Sequence, residues 1–260
     1  MVFPLYDENP LKWPVPPYAT WSLIAVNVAV FVVMRVYLDE ATATMIVKQF
    51  GATPAALFHQ VPQPGRWVPA ELTLFTSLFL HGSWLHLLGN MAYLWVFGDD
   101  IEEAIGRGRF LAFYFLAGGA ASFAYCAMDS QAIVPLVGAS GAIAGVLAAY
   151  LLLHPCAKVW AFVWRIVVHV RAYWIIGGWV LLQLLMLALK TEDGVAYAAH
   201  VGGLIAGAAL FYLIRPAGVE LFECVEKIDQ SKSAMATRHA GGLIEHVHKD
   251  AAGLVGREPG

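Results

Sequence analysis

Residues 138–153 read GASGAIAGVLAAYLLL, and this stretch decides the fold of the chain. Its last part, residues 141–153, contains only apolar and small residues, and His154 and Pro155 end the run. Those 13 residues span about 20 Å as an α-helix, roughly 10 Å less than the hydrocarbon core of a bilayer. We therefore expect the helix to begin inside the bilayer, where its backbone must be buried in protein or line a water-filled cavity.

The composition of the 260-residue chain supports a membrane location. Apolar residues make up 59% of the chain and charged residues 13%, against about 45–50% and 25% in ordinary soluble domains. This composition excludes a typical water-soluble globule. The net charge of −3 offers no basic surface for nucleic acid. No His-Glu-x-x-His motif occurs, so we expect neither a metal nor another cofactor.

Five further apolar segments accompany the short one, and each is long enough to span a bilayer. They cover residues 19–37, 85–101, 110–128, 173–189 and 197–214. The sequence thus predicts an all-α membrane protein, a bundle of six transmembrane helices whose short fourth helix starts inside the bilayer.

The flanking segments complete the predicted organisation. Residues 1–18 are expected to form an irregular cytoplasmic arm, 19–214 the membrane domain, and 215–260 a cytoplasmic tail that is amphipathic and then disordered. Between the spans, residues 38–84 suggest a structured loop at the outer interface. Residues 159–170 fit either an interfacial segment or an extension of the next span.

The distribution of positive charge predicts the orientation. Twelve of the 16 Lys and Arg residues fall on the side of the two termini, which favours cytoplasmic termini. Because the Pro-rich arm carries no targeting pattern, we expect a prokaryotic inner membrane, with an organellar membrane as the alternative.

Ser140 is the first candidate for chemistry, because polar side chains inside membrane spans are costly and rare. It stands at the start of the short helix, where unpaired N–H groups favour developing negative charge. Gly138 and Gly141 flank it and leave room for a substrate backbone. Serine is also a common helix N-cap, which is the structural alternative.

His200 is the candidate base for Ser140. It shares a helix face with Gly203 and Gly207, and Gly141 begins a second Gly-xxx-Gly pattern on the short helix. Such patterns let helix backbones approach closely. If the two patterns meet, Ser140 and His200 come within hydrogen-bonding reach as nucleophile and general base. Packing or hydrogen bonding alone is the alternative role for a histidine in a span.

His86 and Asn90 are spaced four residues apart and therefore lie on one helix face, with Tyr93 one turn further along. Two side-chain donors aimed at one point suit an oxyanion hole, which the backbone N–H of Ser140 would complete. A structural bridge to the neighbouring loop is the alternative.

These motifs together resemble the rhomboid intramembrane serine proteases. The resemblance covers roughly residues 15–215. It rests on Gly138-Ala-Ser-Gly141, Ala199-His-Val-Gly-Gly203, His86-x-x-x-Asn90 and Gly98-x-x-x-Glu102-x-x-x-Gly106, whose order and spacing along the chain match the family together.

The resemblance implies acyl transfer by a Ser140–His200 dyad, with His86, Asn90 and main-chain N–H groups holding the oxyanion. It also implies that the substrates are single-span membrane proteins, cut near the outer end of their transmembrane segment. The partners would thus be transmembrane proteins within membrane lipid.

Two positions depart from the family pattern. Glu71-Leu72-Thr73 stands where many members carry a Trp-Arg pair, so the outer loop is expected to be anchored differently. Ala144 stands where many members have a Tyr that stacks on the histidine. His200 must then be held by another group, such as Tyr93 or another aromatic residue.

Two other functions compete with proteolysis. An inactive rhomboid-like protein would bind membrane clients without cutting them, although such relatives typically lack the serine or histidine. A small-solute transporter would also use a short helix that starts at mid-depth. The sequence shows no inverted repeat, and histidines are the only ionisable residues it places at mid-depth in the spans.

Overall fold

The computed structural model describes residues 2–8, 16–163, 165–191 and 193–224. The described residues up to Glu223 belong to one compact unit. The long or site-forming helices are α1 (Tyr18–Val32, continued as a π-helix to Tyr37), α5 (Trp84–Ile105), α6 (Arg107–Met128), α7 (Ser140–Leu153), α8 (Ala172–Ala188) and α9 (Tyr197–Ile214). Short helices α2 (Glu40–Phe50), α3 (Pro54–Leu57) and α4 (Thr73–Thr76) occupy the connection after α1, and the strands are β1 (Val2–Asp7), β2 (Lys158–Val163) and β3 (Ile166–Arg171).

Helix α7 lies at the centre of the bundle. Every residue from Gly141 to Tyr150 is buried, as expected for a helix that is apolar on all sides. It packs between α6 and α9 and also touches α5 and α8. The short segment identified in the sequence is therefore the helix around which the others are arranged.

Three helical segments in the described part of the chain are both long and apolar enough to cross a membrane: Tyr18–Tyr37, Arg107–Met128 and Tyr197–Ile214. Helices α7 and α8 are apolar but shorter, and α5 ends in an acidic stretch at residues 99–103. A mostly helical protein with candidate membrane spans is thus shown, while the count of six crossings stays a prediction.

A small antiparallel sheet corrects the all-α expectation. The strands lie in the order β1-β2-β3, with Phe3 opposite Phe162 and Phe162 opposite Val167. Part of the segment 1–18 is therefore a strand rather than an irregular arm. Likewise, the segment 159–170 is not an extension of α8, because Lys158–Val163 and Ile166–Arg171 form two antiparallel strands, and its interfacial location stays a prediction. The physical reason is alternation, since exposed and buried residues follow each other along β2.

Glu102 connects the start of α1 to the end of α5. Its carboxylate is buried and accepts hydrogen bonds from the backbone N–H of Ala19 (3.0 Å) and from the backbone N–H and hydroxyl of Thr20 (2.7 and 2.8 Å). Arg107 lies 3.6 Å from the same carboxylate. Glu102 thus supplies acceptors for the first N–H groups of α1, which no residue of α1 itself can satisfy.

The beginning of the tail also differs from the expectation. Residues 217–224 form turns, bends and irregular backbone and no helix, and the rest of the predicted tail lies outside the described residues. The N–H groups of Phe222 and Glu223 donate to the carbonyls of Leu152 and Leu153 at 2.7 and 2.8 Å. These bonds satisfy carbonyls at the end of α7 that lack a helical partner.

Candidate active site

A cavity of about 910 Å³ lies at the N-terminal end of α7. Helices α5 to α9 all contribute to its wall, together with residues of the connections that precede α5, α7 and α9. The four polar residues singled out in the sequence line it: His86, Asn90, Ser140 and His200. These residues belong to three separate helices, α5, α7 and α9, so only the packing of those helices brings them together.

The connection of residues 131–139 that leads into α7 is irregular apart from an isolated bridge at Leu136, and residues of the loop 38–84 bind its backbone. Ala52 and Leu136 exchange two backbone hydrogen bonds, at 3.1 and 2.8 Å. The N–H of Gly138 donates to the carbonyl of Ser77 at 2.9 Å. The backbone just before α7, at Leu136 and Gly138, is therefore paired with the loop of residues 38–84 inside the protein.

Ser140 and His200 are hydrogen-bonded to each other. Ser140 Oγ lies 2.9 Å from His200 Nε2. Ala139 occupies the N-cap position, so Ser140 is the first residue of α7 and not its cap. The backbone N–H groups of Ser140, Gly141 and Ala142 precede the first helical hydrogen bond, from Ile143 to Ala139. A serine hydroxyl, an imidazole and the first N–H groups of a helix thus meet at the start of α7.

The two Gly-xxx-Gly patterns pack directly against each other. A Cβ atom added at Gly203 would overlap the carbonyl oxygen of Gly141, and one added at Gly207 would overlap the Cα atom of Gly145. No side chain larger than hydrogen fits at these positions without moving a helix. The contact brings α7 and α9 together at the level that places Ser140 beside His200.

Gln183 is a site residue that the sequence analysis missed. His200 Nδ1 lies 2.7 Å from Gln183 Oε1, and Trp179 packs its ring 5.6 Å from the imidazole, measured between ring centroids. Tyr93, one of the groups considered for holding His200, instead donates its hydroxyl to the carbonyl of Val2 at 3.1 Å. Its position could have identified it from the sequence, because Gln183 is a polar residue in the middle of a predicted span and such residues are rare there.

Asn90 and His86 line the cavity, and a third residue, His81, contacts both of them. Asn90 Nδ2 lies 2.9 Å from His81 Nε2, and the rings of His81 and His86 are in edge contact at 5.1 Å. His81 does not belong to the helix face of His86 and Asn90, because it precedes α5 and approaches Asn90 from the loop.

Gly138 completes the wall opposite these side chains. Its φ angle is +125°, which L-residues with a side chain rarely adopt, and an added Cβ would lie 2.7 Å from the His86 ring and 3.8 Å from Asn90 Nδ2. The glycine therefore lets the backbone before Ser140 approach the two candidate oxyanion donors. The set of groups is suited to acyl transfer, which needs a nucleophile, a base and donors for the oxyanion.

Comparison with known proteins agrees with this architecture. The family model described as "Rhomboid domain" matches residues 69–217, which contain Ser140, His200, His86 and Asn90. The chain is 30% identical over 226 residues to "Rhomboid protease AarA" of Providencia stuartii, covering 76% of this chain and 73% of that protein.

Other relatives are matched over a smaller part of their length. "Rhomboid protein 1, mitochondrial" of Saccharomyces cerevisiae is 33% identical over 152 residues, which are 54% of this chain and 41% of the yeast protein. "Rhomboid protease GlpG" of Klebsiella pneumoniae is 23% identical over 198 residues, 75% of this chain and 62% of the relative. The family match extends over more than half of the chain, and the chain therefore belongs to the rhomboid family of integral membrane proteins.

Proposed function

We propose that the chain is an intramembrane serine endopeptidase that cleaves transmembrane segments of single-span membrane proteins. The observation that carries this proposal is the 2.9 Å approach of Ser140 Oγ to His200 Nε2 beside an open cavity. A serine hydroxyl is a poor nucleophile by itself, and a hydrogen-bonded imidazole is the usual means of activating it. Relatives named rhomboid proteases support the same reaction class.

The proposed reaction proceeds through an acyl-enzyme. Ser140 Oγ attacks the scissile carbonyl while His200 Nε2 accepts the hydroxyl proton. The tetrahedral oxyanion is held by the N–H groups at the start of α7 together with Asn90 and His86. His200 then gives its proton to the leaving amine, and a water molecule repeats the sequence on the ester to release Ser140.

We further propose that the protein lies in a prokaryotic inner membrane with both termini in the cytoplasm. The excess of Lys and Arg on the side of the termini supports this orientation. The cavity is lined by residues 191 and 194–196, in the connection between α8 and α9 that this orientation places outside. Substrates would then be cut toward the outer face of the membrane.

The test uses the full chain and a single-span reporter protein. Wild-type protein should cleave the reporter and be labelled by a fluorophosphonate, whereas Ser140→Ala and His200→Ala should each lose cleavage by at least about 1,000-fold. Thermal unfolding of both variants in detergent should match that of wild type. In cells, the outer part of the reporter should appear in the periplasm.

Two results would contradict the proposed activity, and a third would contradict only the proposed orientation. Cleavage by the Ser140→Ala protein at the wild-type rate would exclude Ser140 as the nucleophile. Tight reporter binding without cleavage or fluorophosphonate labelling in the wild type would favour the alternative of an inactive client-binding protein. Release of the outer part of the reporter into the cytoplasm would contradict the orientation alone.

A further inference from the structure

His200 lacks the aromatic support on α7 that many members of the family use, because Ala144 occupies that position. Its support comes from α8. Gln183 is only 4% exposed, although its neighbours Leu181 and Leu184 on the same helix are 67% and 47% exposed. A buried amide is costly unless it is hydrogen-bonded, and its oxygen finds its partner in His200.

We propose that Gln183 is the positioning residue of the catalytic site and that it selects the tautomer of His200. An amide oxygen accepts hydrogen bonds and cannot donate them, so the imidazole nitrogen that faces it must carry the proton. With the proton on Nδ1, the lone pair of Nε2 is directed at Ser140 Oγ. This is the tautomer in which His200 acts as a general base toward Ser140.

Gln183 acts through orientation and not through charge. In a Ser-His-Asp triad the carboxylate both orients the imidazole and stabilises the imidazolium that forms during attack. A neutral amide supplies the first effect and little of the second. Among the described residues, the structure shows no other side chain hydrogen-bonded to Nδ1 and no carboxylate paired with the ring.

Trp179 adds a steric restraint from the same helix. It precedes Gln183 by four residues, so both side chains leave α8 on one face, toward His200. The indole limits ring rotation through contact, while the amide fixes the ring by a directed bond. Of these two groups, only the amide distinguishes the two imidazole nitrogens, so Gln183 and not Trp179 determines the tautomer of His200.

Two substitutions separate positioning from packing, and the inference rests on the proposed function. Gln183→Leu keeps a side chain of similar size but removes the acceptor, and Gln183→Glu keeps an acceptor and adds charge. Leu184→Ala, an exposed change on the same helix, is the matched control. We would measure kcat and KM for the single-span reporter across pH, the rate of fluorophosphonate labelling, and thermal unfolding of each full-length variant.

Gln183→Leu should lower kcat and the labelling rate by about 10- to 100-fold, with KM and the unfolding temperature nearly unchanged. Gln183→Glu should keep most of the wild-type kcat, and the acidic limb of its kcat profile should move to higher pH, because a carboxylate favours the imidazolium. Leu184→Ala should match wild type throughout.

The inference is overturned if Gln183→Leu keeps the wild-type kcat, or if the Leu and Glu variants lose activity and thermal stability equally. The second result would mean that Gln183 only packs. Failure of the proposed function is distinguishable from both, because wild-type protein would then show neither cleavage nor Ser140-dependent labelling, whatever residue stands at position 183.

Discussion

The side-chain amide of Asn90 has two hydrogens on Nδ2. One of them is donated to His81 Nε2, with 2.9 Å between the two nitrogens. This bond fixes the amide group and leaves its second hydrogen for the cavity that Asn90 lines. A donor that is already oriented costs no reorganisation when negative charge develops on a substrate oxygen. His81 is thus best understood as the residue that orients a candidate oxyanion donor.

Replacing Asn90 with Ala should lower kcat for reporter cleavage by about 100-fold or more and change KM much less, because the donor acts on the transition state. Steady-state kinetics of the purified variant measures both constants. Leu88→Ala, an exposed change on the same helix, should leave them unchanged. A variant of Asn90 that raised only KM would assign the residue to substrate binding instead.

At the scale of elements, the distance between α7 and α9 decides whether the site exists. Ser140 and His200 belong to different helices, and their 2.9 Å hydrogen bond requires nearly direct backbone contact between those helices. The glycines at 141, 145, 203 and 207 provide that contact. Small residues have this effect in membrane proteins because they let dispersion forces act between two backbones.

Gly207→Ala should therefore reduce both stability and cleavage, since its Cβ would overlap Gly145 and push α9 away from α7. Overpacking of this kind costs about 1–3 kcal/mol, and we expect a lower unfolding temperature together with at least a 10-fold loss of kcat/KM.

Gly177→Ala on α8 is the matched control for this change. A Cβ at position 177 meets no atom within 4 Å, and Ala is favoured over Gly inside a helix by roughly 1 kcal/mol. Its unfolding temperature should therefore stay the same or rise. Equal behaviour of the two variants in thermal unfolding and cleavage assays would show that the α7–α9 contact has no special role.

At the scale of the whole molecule, strand β1 near the start of the chain forms one edge of the sheet and is hydrogen-bonded to the central helix α7. Tyr150 donates its hydroxyl to Asp7 Oδ2 at 2.6 Å across 143 residues of sequence. Burial raises the pKa of Asp7 above its ordinary value, because the charged carboxylate loses its hydration. Asp99 and Asp100 also face this carboxyl group, and Asp100 shares a hydrogen bond with it.

A raised pKa in the folded state means that the protonated form is favoured by folding. The contribution of Asp7 to stability is therefore fully present below its unfolded pKa and is lost as the pH rises through its folded pKa. Asn mimics the protonated acid at every pH. Asp7→Asn should raise the unfolding temperature at about pH 8 by roughly 2–4 °C and have little effect near pH 4.

Thermal unfolding across this pH range measures the effect of Asp7. Glu40→Gln, an exposed change in the first turn of α2, should retain the pH dependence of wild type. If Asp7→Asn showed the same pH dependence as wild type, the carboxyl group of Asp7 would not be coupled to folding.

Local patterns in the sequence identified a large part of the helices and of the site. Runs of apolar residues predict the helices, because an apolar composition is by itself enough to favour burial of a segment in lipid or in the protein core. Ser140, His200, His86 and Asn90 were identifiable because each is a polar exception within such a run. The Gly-xxx-Gly patterns indicated which two helices meet, because few other residues allow such close contact.

Tertiary structure alone decided the features whose partners are remote in sequence. The hairpin formed by β2 and β3 is completed by β1, which lies more than 150 residues earlier in the chain, so no local pattern could reveal the sheet. Gln183 was hidden for the same reason, since its role depends on where α8 packs beside His200. Composition and periodicity determine what each segment is, whereas hydrogen bonds between distant residues form only after the helices have packed.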